Sequence, residues 1–264
     1  MKQQLNIGLD IGGSKILGLL YDHNNNKAYA ALRQPIIKDS LPALVRQIHS
    51  EIERLIEAAQ KTGNIPTGIG IGIPGVIKNG RIINCPNLSV LNNRNLNKLL
   101  AKQFPDKKIL SDNDVNCFLR AYLVKHPLLK NTTFAVVALG TGIGGAIAIN
   151  GNNIIPELGI SSEIGHMIIN SQSGADLEHY YHKIMGHPAG RLFTAAQAGD
   201  FLAQQKVEKF AKILGLAMVN LNNLINPKVI ILTGGVSRYY KTYLPLVKQI
   251  INEQSLTPNR PKWI

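Results

Sequence analysis

Apolar and polar positions alternate over Leu5-Asn-Ile-Gly-Leu9, which predicts a strand. Asp10-Ile-Gly-Gly-Ser-Lys15 follows as a turn, and residues 16–21 read as the returning strand. Residues 22–26 carry turn chemistry. Beyond Ser40 the period changes: Leu44, Val45, Ile48, Ile52, Leu55, Ile56 and Ala59 form one apolar stripe at helical spacing. Ser40 is placed to cap that helix, Pro42 suits its first turn and Gly63 ends it. Residues 68–73 read as a buried strand running into the Pro74-Gly75 turn. A short strand is predicted over 107–111, then a helix from Asp112-Asn-Asp-Val-Asn116 to near Lys125. Residues 134–139 and 146–149 are predicted strands around a second glycine turn. Residues 205–225 form a long apolar helix stopped before Pro227, and Val229-Ile-Ile-Leu232 is a strand ending in Thr233-Gly-Gly235.

Leu9-Asp-Ile-Gly-Gly13 and Leu139-Gly-Thr-Gly-Ile143 occupy matching places in two strand–turn–strand units. This repeat predicts two related α/β lobes, residues 1–115 and 116–264, each presenting a glycine turn to one ligand in a cleft between them.

Composition narrows the classes. A chain of 264 residues that is 45% hydrophobic buries a real core and is not disordered. The formal net charge is +13, which raises the question of nucleic acid. The basic residues are scattered, however, and the densest cluster is only Lys107-Lys108. The expectation is a generally basic surface that tolerates anionic substrates, with no nucleic-acid partner. No apolar run approaches the roughly 18 residues of a membrane span. No leader is expected, because the first apolar stretch is broken by Asn6, Asp10 and two glycines and lacks a small-residue cleavage site. Cys85 and Cys117 make neither a disulfide framework nor a metal quartet, so a reducing cytoplasm is the expected location.

The glycine turns carry the first candidate chemistry. A backbone without Cβ approaches a phosphate closely, and successive N–H groups form an anion nest. Gly12, Gly13 and Ser14 offer this in the first lobe, and Thr141, Gly142, Gly144 and Gly145 in the second. A plain hairpin is the alternative for either turn alone. The second turn also fits a dinucleotide fingerprint, but Ala146-Ile-Ala-Ile-Asn-Gly reads as strand and turn where that fingerprint requires a helix. Asp10 beside a phosphate cradle implies a bridging Mg²⁺, held through water. Asp114 follows a strand and precedes a helix, where a carboxylate can take the proton of a hydroxyl attacking a phosphoryl group. Asp112 is the expected helix cap. Glu163 and His166, three apart, can reach a polyol or a metal, or form a surface pair.

Several segments occur together in family order. They are Leu9-Asp-Ile-Gly-Gly-Ser-Lys15, Gly70-Ile-Gly-Ile-Pro-Gly75, Pro86-Asn-Leu88, Asn113-Asp-Val-Asn116, Leu139-Gly-Thr-Gly-Ile-Gly-Gly145, Glu163-Ile-Gly-His166, Ala198-Gly-Asp200 and Asn226-Pro-Lys-Val-Ile-Ile-Leu-Thr-Gly-Gly-Val236. As a set they resemble the ROK family of sugar kinases, within the two-lobed actin/hexokinase-type (ribonuclease H-like) ATPase fold. The resemblance implies ATP- and Mg²⁺-dependent phosphorylation of a hexose or N-acetylhexosamine, usually at the 6-hydroxyl, and a homodimer. By position it makes Asp114 the general base. It gives Gly75, Asn113, Glu163, His166 and Glu178 to sugar hydroxyls. It sets Asp10, Gly12, Gly13, Ser14 and Lys15 at the phosphates and Mg²⁺, Thr141 and Gly142 at the β- and γ-phosphates, and Gly234 and Gly235 beside the adenosine.

Two departures follow. Many family members carry a Cys-x-Cys-Gly-x-x-Gly-Cys zinc module after Glu-x-x-His, but here Asn170-Ser-Gln-Ser-Gly-Ala-Asp-Leu-Glu178 has no cysteine. Structural zinc is not expected, and the loop around Glu178 is expected to lose its anchor. The sequence also stops at Trp263-Ile264, short of the family's final helix, which would leave apolar surface on the first lobe. A sugar-binding regulator or catalytically degenerate homologue is the rival reading. A nucleic-acid-binding protein rests on net charge alone.

Overall fold

The computed structural model describes residues 5–154, 162–186, 189–257 and 260–264; residues 1–4, read above for a leader, lie outside them. The described residues fall into two compact units that meet in the chain at Phe118/Leu119. Each has its own sheet and its own core.

The first unit opens with β1 (Leu5–Ile11), β2 (Lys15–Asp22) and β3 (Lys27–Pro35), followed by α1 (Leu41–Gln60). Then come β4 (Gly68–Ile73), the hairpin strands β5 (Val76–Lys78) and β6 (Arg81–Asn84), α2 (Leu96–Ala101), β7 (Lys108–Asn113) and α3 (Asp114–Lys125), which crosses the unit boundary. The alternation read in β1 is real: Leu5, Ile7, Leu9 and Ile11 are all buried. The α1 stripe packs into the same core through Leu44, Ile48, Ile52, Leu55 and Ala59. Each large side chain buried there contributes about 1.5–3 kcal/mol. Ser40 caps α1, its Oγ accepting from Ala43 N at 3.3 Å. The sheet order is β3-β2-β1-β4-β7, with the first three strands antiparallel and β1, β4 and β7 parallel.

The second unit contains β8 (Phe134–Leu139), β9 (Ile143–Ile149), β10 (Asn152–Asn153), β11 (Ile168–Asn170), β12 (Ala175–Asp176), α4 (Leu177–Met185), α5 (Gly190–Gln197), α6 (Phe201–Ile225), β13 (Val229–Thr233), α7 (Tyr240–Gln254) and β14 (Lys262–Trp263). β9 starts three residues earlier than the alternation predicts, and it is a strand where the dinucleotide fingerprint would need a helix. α6 likewise starts early, because Asp200 Oδ1 accepts from Ala203 N at 2.9 Å and caps it. α6 and α7 pack closely at Gly215, where a Cβ would stand 2.8 Å from Ile250. Tyr181, Phe193, Phe210 and Tyr243 form an aromatic centre, with neighbouring rings 5.3–6.1 Å apart.

The second sheet runs β10-β9-β8-β13-β14, again antiparallel on one side and parallel on the other. Counted within each sheet, both orders are third–second–first–fourth–fifth. The repeat in the sequence is thus a repeat of topology.

Candidate functional site

In the first unit the candidate residues gather at the carboxyl ends of three parallel strands, where open α/β sheets bind ligands. Asp10 pairs with Gly72 in β4, and Gly72 pairs with Asp112 in β7. Gly72 lies beside the first turn of α3: a Cβ there would stand at ordinary contact distance, 3.4 Å, from Asp114 Cα. The β1–β2 turn closes through Gly12 N donating to Lys15 O at 2.9 Å. Gly13 lies against Asn87, with 2.8 Å between its would-be Cβ and Asn87 Cβ. Ser14 is exposed and Lys15 opens β2. Gly75 has φ +112°, and a Cβ would stand 2.3 Å from Asn84 O, so this turn admits only glycine.

Asn113 does two jobs. Its Nδ2 donates to Gly75 O at 3.0 Å, and its Oδ1 accepts from Val115 N at 2.9 Å and Asn116 N at 3.2 Å. The capping expected of Asp112 therefore falls to Asn113, since the turn at Gly75 draws that amide over the helix start. Asp112 Oδ1 instead accepts from Asn113 N and Asn116 Nδ2.

Asp114 is half-buried. Burial raises its pKa, a bond from Val115 N offsets part of this, and the like charge of Asp10 adds to it. Desolvation raises the pKa of Asp10, with Lys15 acting in the opposite sense. The fold thus brings these two carboxylates into one electrostatic neighbourhood.

The second unit gathers another set around its own glycine turn. Gly140 N donates to Gly142 O at 3.0 Å and leaves Thr141 exposed at the tip. The hydroxyl of buried Tyr181 donates to Gly140 O at 2.6 Å. Glu178 Oε2 accepts from Ile143 N at 3.1 Å, and its other oxygen lies 3.3 Å from His182 Nε2. Gly142 is pressed against Glu178, since a Cβ would stand 2.5 Å from Oε1. Gly234, at φ +88°, lies on the backbone of Leu139 at the base of the same turn, and exposed Gly235 opens on free space.

Glu163 precedes a short 3-10 turn, Ile164–His166, rather than an α-helical one. His166 is exposed, and its Nδ1 meets Asp176 Oδ2 at 2.9 Å. This bond raises the His166 pKa, with the charges of Glu178 and Glu163 acting in the same direction. Glu163, His166 and Glu178 therefore share one neighbourhood. The segment expected to lose its anchor forms the β11–β12 hairpin and the first turn of α4. Sequence reasoning missed Tyr181 and Asp176; neither follows from local spacing. An open depression of about 480 Å³ is lined by Ser173, Gly174, Asp176, His179, Tyr180 and Lys183, and takes in none of the predicted site residues.

Residues 6–262 match the ROK family. The chain belongs to that family. The N-acetyl-D-glucosamine kinase of Escherichia coli O157:H7 is 26% identical over 264 aligned residues, covering 88% of this chain and 84% of that protein. The ROK family glucokinase from Streptomyces griseus, solved with glucose and AMPPNP, has a TM-score of 0.80 at 20% identity, over 98% of this chain and 93% of that one. A ROK family transcriptional regulator, a homologue of the E. coli MLC protein, reaches 0.82 at 20% identity, over 96% of this chain and 71% of that one. The fold is accordingly the mixed α/β actin/hexokinase type. Among the described residues, no helix is long and apolar enough to cross a membrane.

Proposed function

We propose that this ROK chain is an ATP-dependent sugar kinase that phosphorylates a hexose or N-acetylhexosamine at its 6-hydroxyl. The observation that carries the reading is Asp114: a half-buried carboxylate of raised pKa at a strand's carboxyl end, beside a second carboxylate and a glycine turn. Phosphoryl transfer is mostly positioning and charge stabilisation. Asp114 takes the hydroxyl proton as the sugar oxygen bonds to the γ-phosphorus and the bond to ADP breaks. Its raised pKa makes it a stronger proton acceptor than an ordinary carboxylate.

Asn113 and Gly75 on the first unit, and Glu163, His166 and Glu178 on the second, are assigned to sugar hydroxyls. Gly12, Gly13, Ser14 and Lys15, with Thr141 and Gly142, are assigned to the phosphates. Gly234 and Gly235 are assigned to the adenosine, where absent side chains leave room for a flat base.

Asp10 fits Mg²⁺. The described residues hold no cluster of three acidic, His or Cys ligands, but Mg²⁺ commonly takes one or two carboxylates plus phosphate oxygens and water. A cation beside Asp10 also relieves its repulsion with Asp114. When bound, it would neutralise charge on the transferring phosphate. Structural zinc has no part in this reading. A cytoplasmic location and a homodimer belong to it.

The fold likeness to a ROK transcriptional regulator supports a second reading, a sugar-binding regulator without turnover. Asp114→Asn separates the two. As a kinase, the variant loses about 10²–10⁴-fold in kcat while calorimetric sugar binding survives. Full activity in the variant overturns the assignment of Asp114. Sugar binding without ADP release by the unaltered protein favours the regulator.

A further inference from the structure

We propose that Asp176 is a positioning residue for the sugar side of the site: one of its carboxylate oxygens holds His166, and the other caps the helix that carries Glu178. The proposal rests on the sugar roles assigned above to His166 and Glu178.

The geometry is short-ranged and closed. The β11–β12 hairpin folds Asp176 back opposite Ile168, two residues beyond His166. Leu177 N donates to Met167 O at 3.0 Å, and the Leu177 side chain is fully buried, so the start of α4 cannot drift. Asp176 Oδ1 accepts from His179 N at 2.7 Å, the N-cap bond of α4. Its Oδ2 meets His166 Nδ1 at 2.9 Å. Two residues past the cap, Glu178 reaches Ile143 N and lies against Gly142. A single carboxylate therefore sets an imidazole and a helix start, and the helix start sets a second carboxylate.

The chemistry follows from which nitrogen is engaged. With Nδ1–H donating to Asp176, neutral His166 presents Nε2 as an acceptor, fixed in tautomer and ring orientation. Protonated, it presents a donor there. The groups acting on His166 are Asp176, Glu178 and Glu163, and those acting on Asp176 are His166 and His179. The bond between them raises the His166 pKa and lowers that of Asp176. The charged pair is therefore favoured from both sides. Its contribution is lost as pH rises through the His166 value, and again as pH falls through the Asp176 value.

The test compares Asp176→Asn with Asp176→Ala in the full chain. Asparagine keeps an oxygen for the cap but removes the charge facing His166; alanine removes both. We expect Asp176→Asn to raise the KM for sugar about tenfold, the scale of losing one orienting partner of a site histidine. The KM for ATP and the Tm stay near those of the unaltered protein. Asp176→Ala lowers Tm as well. The imidazole titration of His166, followed by NMR, moves down in both variants. An unchanged sugar KM with an unchanged titration in Asp176→Asn overturns the proposal. So does a variant whose Tm and ATP KM suffer as much as its sugar KM, because that marks general damage. If the unaltered protein turns over no sugar, the kinase reading fails, and the imidazole titration still decides whether Asp176 holds His166.

Discussion

The two glycine turns sit at equivalent points of two sheets with one strand order, yet they are held in different ways. The first is closed by backbone bonds, Gly12 N to Lys15 O and Ile36 N to Ser14 O, with Asn87 against Gly13, and its nearby acid, Asp10, comes from the strand that enters the turn. In the second, Ala138 holds the register position that Asp10 holds in the first, so the strand entering the turn brings no acid. Its acid is Glu178, supplied by α4 from 35 residues further along the chain. The same helix contributes Tyr181, whose hydroxyl holds Gly140 O. One topology thus accommodates a turn braced by its own strands and a turn gripped by a helix. The second turn takes side-chain hydrogen bonds from a distant helix, where the bonds of the first are backbone to backbone.

This difference can be broken at its strongest point first. Gly234→Ala forces a side chain into φ +88° and sets its Cβ 2.4 Å from Leu139 O, against backbone that cannot yield. A loss of about 3 kcal/mol or more is expected in urea unfolding, from the left-handed conformation and the clash together. A variant as stable as the parent would show that the base of the second turn is not tightly packed. Tyr181→Phe acts more gently. It removes the bond to Gly140 O and leaves a carbonyl short of a partner, so a loss of about 1 kcal/mol is expected. The same substitution should also raise the KM for ATP, because Thr141 and Gly142 lose their support. An unchanged ATP KM would mean that α4 does not steady the turn.

Much of the fold is legible in the sequence, because its signals are local. Alternation in β1, the Ser40 cap, the apolar stripe of α1 and the strand after the second turn each rest on neighbours within a few residues. β3 shows little apolar alternation, since none of its positions is buried. α7 carries Pro245 in its interior, which masks its helical pattern. In the candidate site, residues tied to strand ends and glycine turns could be named from motif and spacing. The contacts that steady them could not. Tyr181 meets Gly140 across 41 residues, and Glu178 meets Ile143 across 35. Asn113 shows the reverse limit: its residue type is visible, but its capping of α3 and its hold on Gly75 O emerge only once two strand ends are side by side.

The most direct test of the account is ADP release by the purified protein, given ATP, Mg²⁺ and a panel of hexoses and N-acetylhexosamines. The account predicts release that depends on one sugar or a narrow group of them. No release with any sugar, from protein shown to be folded, would contradict it.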